Sequence, residues 1–148
     1  MSAEASKGGD DRAMELANLL DLRMRGETGA ITAVTDAVSD KLIHLDVPEE
    51  KRLEIALALQ EALANAVVHG CKNDPSMEVR CRLERDSNGR ILITVTDPGD
   101  GFHPEALSNP KHLKNLCADH GRGVYLIRQL MDEVHFAAGG SEIRMWKY

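Results

Sequence analysis

The chain has 148 residues, 43% of them hydrophobic and 28% charged, and its 24 acidic against 18 basic side chains leave a net charge of −6. That length suits one compact domain and is short for two. The acidic balance argues against a dedicated nucleic-acid binder, which needs a basic face to displace counterions.

Residues 1–12 are small and charged and read as a disordered lead-in; residues 13–148 form the domain. Residues 14–23 mix Leu with polar side chains and fit either an edge strand or a helix. Ile31, Val34, Val38, Leu42 and Leu45 recur at three- and four-residue steps, the mark of an amphipathic helix. Asp46-Val47-Pro48 stops it, and Glu49-Glu50 place acids in the first turn of the next helix. Leu53, Ala56, Leu57, Leu63 and Val67 give that helix an apolar stripe, and Gly70 suits a left-handed C-cap.

Residues 77–85 alternate, Ser87-Asn88-Gly89 turns the chain, and residues 91–96 are β-branched, which together signal a hairpin. Residues 103–120 carry two prolines and no period and read as a loop. Val124, Ile127, Leu130 and Met131 suit a helix opening near Gly121. Residues 134–138 and 143–148 close the chain as a hairpin around Gly139-Gly140. Helices clustered early, then strands, imply an α+β two-layer sandwich rather than βαβ units.

Three segments carry chemistry. Glu61 and Asn65 stand four residues apart on one helix face, with Glu54 and His69 near the same line. Asp97-Pro98-Gly99-Asp100-Gly101-Phe102 follows the β-branched run, and Gly121-Arg122-Gly123 opens the last helix. A strand-end carboxylate can accept a hydrogen bond from an exocyclic amine. Glycines let backbone approach a ligand that a Cβ would block. A helix start offers N–H groups and the positive dipole end to phosphates. Each segment alone has a bland reading: solvated polar residues, a tight turn and a hinge.

In this order the three segments resemble the N, G1 and G2 boxes of the GHKL superfamily of gyrase, chaperone, histidine-kinase and mismatch-repair ATPases. The closest likeness is to the anti-sigma-factor serine kinases, over residues 14–148. The resemblance implies a Bergerat-type fold, a mixed, mainly antiparallel sheet with helices on one face. It implies ATP and Mg2+ as cofactors, with Asn65 the metal ligand and Glu61 the catalytic base. Asp97 would read the adenine amine, Gly99, Gly101, Gly121 and Gly123 would border the nucleotide, and Ser141 stands where relatives carry Thr beside the base. Arg122 reaches a phosphate, caps the helix or faces solvent.

The implied function is that of an anti-sigma factor and serine kinase acting on an antagonist protein in a bacterial partner-switching system, with a sigma factor as second partner and a homodimer as the assembly. Asp119-His120 depart from the basic residue several relatives carry before the second glycine box. An acid there repels a γ-phosphate, so a nucleotide-binding regulatory module without phosphoryl transfer is the alternative. Three cysteines without a CxxC pair suit a reduced, cytoplasmic protein. No basic-then-apolar leader and no apolar run of about 18 residues is present, so no membrane role is expected. His103, His112, Cys117 and His120 match no common zinc spacing. His69 reads as a helix cap, and Trp146 and Tyr148 as packing residues.

Overall fold

A computed structural model describes residues 15–99 and 120–148, the latter with backbone only at 120–122. The lead-in at 1–12, Asp100, Gly101 and the loop residues His103, His112, Cys117 and Asp119 lie outside the described residues.

The elements run β1 (Ala17–Arg25), α1 (Ile31–His44), α2 (Glu49–Asn65), β2 (Glu78–Arg85), β3 (Ile91–Thr96), α3 (His120–Leu130), β4 (Glu133–Ala137) and β5 (Glu142–Lys147). A short 3-10 turn, Thr28–Ala30, leads into α1. The strands make one sheet in the order β1-β2-β3-β5-β4, and every pairing among the described residues is antiparallel. The helices and the inward side chains of the strands share one core, so the molecule is the expected two-layer sandwich. Among the described residues no helix is long and apolar enough to cross a membrane.

The stretch left ambiguous by pattern resolves as strand over Ala17–Arg25. Leu20, Leu22 and Met24 of β1 alternate toward the core while Asp21 and Arg23 point outward. Asp21 accepts two hydrogen bonds from Arg80 of the neighbouring strand, at 2.8 and 2.6 Å. A β-bulge between Asn18 and Leu20 explains the broken alternation that blurred the signal. Val34, Val38 and Leu42 of α1 are buried as the spacing predicts.

The stripe expected on α2 is partly wrong. Leu53 and Leu57 are 58% and 49% exposed, and the buried face is Ile55, Ala58, Leu59, Ala62 and Leu63. Leucines surround this helix, so periodicity alone could not fix its orientation. The alanines decide it, because small side chains let α2 sit close against the sheet and α3. Each fully buried Ile or Leu contributes about 1.5–3 kcal/mol.

Gly70 also differs from expectation, since its φ is not in the left-handed region. The helix continues past Asn65 as a widened π turn, Ala66–Gly70, closed by Cys71 N–H donating to the Ala66 carbonyl at 2.8 Å. The reversal therefore falls two residues later, at Lys72 (φ 54°) and Asn73 (φ 60°).

Candidate functional site

The end of α2, the end of β3 and the start of α3 border a cleft that opens to solvent. Asn65, Ala66, His69 and Gly70 line it from α2, and Val95 and Asp97 from β3. Val124 comes from α3, while Phe136, Gly140, Ser141 and Ile143 complete the wall on the closing hairpin.

Asp97 leaves β3 with its direction fixed twice. Its backbone N–H donates to the Ser141 carbonyl at 3.0 Å, and its Oδ1 accepts the Gly99 N–H at 2.8 Å. Burial pushes this carboxyl above its usual range, and the Gly99 N–H only partly offsets that. The folded state thus holds the proton more tightly than the unfolded chain, so stability from this group is present below the unfolded value of 3.8 and is lost as pH rises through the folded value. Asp97→Asn should remove that slope and leave the ligand-free protein melting no lower than the parent at neutral pH. Melting temperatures from about pH 4 to 7 check this, and a less stable variant at pH 7 would contradict it.

Two glycines make the site by close approach. A Cβ on Gly70 would strike the Asp97 carboxylate, and one on Gly99 would lie 2.6 Å from the Gly70 carbonyl oxygen. The helix end, the acid and the first glycine box are therefore in backbone contact. Gly123, buried in the first turn of α3, faces the other two key side chains. A Cβ there would stand 3.0 Å from Glu61 Oε1 and 3.2 Å from Asn65 Nδ2. The Glu61–Asn65 pair and Gly123 of the second glycine box are thus packed against each other, with the first turn of α3 beside that pair.

Glu61 is half-buried one turn before Asn65, and Asn65 stands where the α-helix passes into the π turn. Ser141 lines the cleft while its hydroxyl donates to the Ala138 carbonyl at 3.0 Å, which is a turn role. Gly121 and Arg122 lie in α3's first turn.

The structure adds residues the motifs did not include. His69, read as a cap, lines the cleft; its i+4 spacing from Asn65 was the available signal. Phe136 lines the opposite wall, and only strand alternation with Val134 could have marked it.

A family model described as the histidine kinase-like ATPase domain matches residues 24–147. The chain belongs to this family. Nucleotide use follows from membership. Among relatives, the serine-protein kinase RsbW of Bacillus subtilis (strain 168) is 32% identical over 102 residues, covering 64% of this chain and 63% of that protein. The anti-sigma F factor of Geobacillus stearothermophilus is 30% identical over 117 residues, 78% of each chain. The chain thus spans 63% of the length of the RsbW protein. Among solved structures, the histidine kinase domain from the Erythrobacter litoralis EL346 blue-light activated histidine kinase superposes with a TM-score of 0.55 at 19% identity, covering 97% of this chain and 67% of that one. That likeness shows the fold.

The lining of this ATPase domain's cleft carries groups suited to a nucleotide. It pairs a desolvated acceptor, Asp97, with an apolar floor of Val95 and Ile143. Asn65 adds an amide from the helix side, and Gly123 of α3 packs against that amide and the Glu61 carboxylate.

Proposed function

We propose that the chain is an ATP-binding anti-sigma factor and serine-protein kinase that phosphorylates an anti-sigma-factor antagonist in a bacterial partner-switching system. It works in the cytoplasm with a sigma factor and the antagonist as alternating partners. A homodimer belongs to the proposal through family resemblance alone. The names of the relatives support this reading. The observation that carries it is the contact of Gly123 with both Glu61 and Asn65, which gathers base, amide and phosphate-facing helix at one point.

Bound ATP with Mg2+ supplies the phosphoryl group. Asp97 would accept a hydrogen bond from the amine of the base, with Ser141, Gly70 and Gly99 bordering it; Gly101, beyond the described residues, belongs to the proposal through family resemblance alone. The Asn65 amide oxygen would hold Mg2+, an ion that takes oxygen donors and keeps several waters. The N–H groups of Gly121, Arg122 and Gly123 face the phosphates. Glu61 takes the proton from the incoming serine hydroxyl. Leu57, one turn before Glu61, and Leu126 on α3 are exposed. They are apolar side chains that an incoming protein could cover.

Asn65→Ala should abolish magnesium-dependent nucleotide binding while the fold persists. Calorimetry with and without Mg2+ tests this, and an unchanged affinity would refute the ligand assignment. The function as a whole is tested by incubating the protein with labelled ATP and the antagonist. Serine labelling is expected. ATP binding and complex formation without labelling would leave a regulatory module that does not transfer phosphate.

A further inference from the structure

The outer wall of the cleft carries an aromatic ring that no motif contains. Phe136 lies on the edge strand β4 and lines the cleft together with Asp97 and Ser141. Across the sheet it pairs with Ile143, which pairs in turn with Val95 of β3. The three side chains form one row on the helix-facing side. Asp97 stands two residues beyond Val95 and projects from the same side. Two strand spacings, about 10 Å, separate its strand from β4, with about 7 Å of offset along the strands. A planar bicyclic base whose amino edge meets Asp97 therefore runs over Ile143 toward Phe136. Arg128 of α3 places its guanidinium 5.8 Å from the Phe136 ring centroid and holds the ring from the helix side.

We propose that Phe136 is the residue that grips the base, through aromatic contact. This rests on the nucleotide-binding reading above and divides the work at that site. Phe136 supplies affinity for a flat base of any identity, and Asp97 selects the amine-bearing one. The low aromatic content of the chain, 3%, makes the placement of one ring in this wall a specific feature.

The test uses the full chain with Mg·ATP. Phe136→Leu keeps the apolar bulk and removes the ring; Phe136→Tyr keeps the ring. Calorimetry should show ATP binding weakened about 10-fold in Phe136→Leu, the scale of base–aromatic stacking, and close to the parent in Phe136→Tyr. An unchanged affinity in Phe136→Leu, or an equal loss in both variants, overturns the proposal. Should Phe136→Leu fail to fold by circular dichroism, Phe136→Trp decides. Its added indole emission must change on saturation with ATP, and a constant signal overturns the assignment. Failure of the parent to bind ATP at all would instead sink the nucleotide reading itself, so the two failures are distinct.

Discussion

Replacing Glu61 with Gln will leave Mg·ATP affinity nearly unchanged and slow serine phosphorylation by roughly 10²- to 10⁴-fold, the usual contribution of a positioned general base. The substitution is nearly isosteric. Gln keeps the contact with Gly123, so α3 and its N–H groups stay where they are. What disappears is the ability to accept a proton. That carboxylate is half-buried, one turn from Asn65 and beside the first turn of α3. The loss should appear in kcat and not in KM, because the interaction is made only as the hydroxyl is deprotonated. Single-turnover transfer from labelled ATP to the antagonist measures it. A fully active Glu61→Gln protein would remove Glu61 as the base.

The second large effect is expected at Gly70. An alanine methyl there must displace the Asp97 carboxylate, which the Gly99 N–H holds at 2.8 Å. Neither side can yield easily, since the Gly70 and Gly99 backbones already touch. Overpacking of this kind costs about 1–3 kcal/mol of stability. Losing a hydrogen bond to a charged acceptor costs about 1.5–3 kcal/mol more in nucleotide binding, equivalent to roughly 10- to 100-fold in affinity. Gly29→Ala is the control, because a Cβ at Gly29 meets nothing within 4 Å. Denaturant titration and calorimetry on both variants check the pair. A Gly70→Ala protein as stable and as tight-binding as the control would contradict the close approach.

Much of this fold was legible because strands and turns announce themselves locally. The β2–β3 hairpin follows from alternation and the Ser87-Asn88-Gly89 turn, and the Asp86 carboxylate fastens it by accepting the Asn88 and Arg90 N–H groups at 2.9 Å each. The α1 helix was equally plain, with one apolar face and a proline stop. The α2 helix was not, since Leu53 and Leu57 mimic a core stripe that the alanines at 58 and 62 override only once the sheet and α3 are present. Glu61, Asn65 and Asp97 could be singled out because their spacing and flanking glycines carry a motif. The contact of Gly123 with Glu61 and Asn65 joins residues about sixty positions apart, and the place of Phe136 in the wall depends on strand register. Neither has a local trace. Gly70 illustrates the difference: its importance was visible, but the reason is proximity to Asp97 and not backbone handedness.

The central claim is that Mg·ATP occupies the cleft between α2, β3 and α3. Titrating the 15N-labelled protein with Mg·ATP and following its amide resonances tests this most directly. Saturable shifts concentrated at Asn65, Gly70, Asp97, Gly99 and Ser141 are predicted, with weaker response to Mg·GTP. Resonances that stay fixed in the presence of millimolar ATP, or that move only at residues remote from those five, would contradict it.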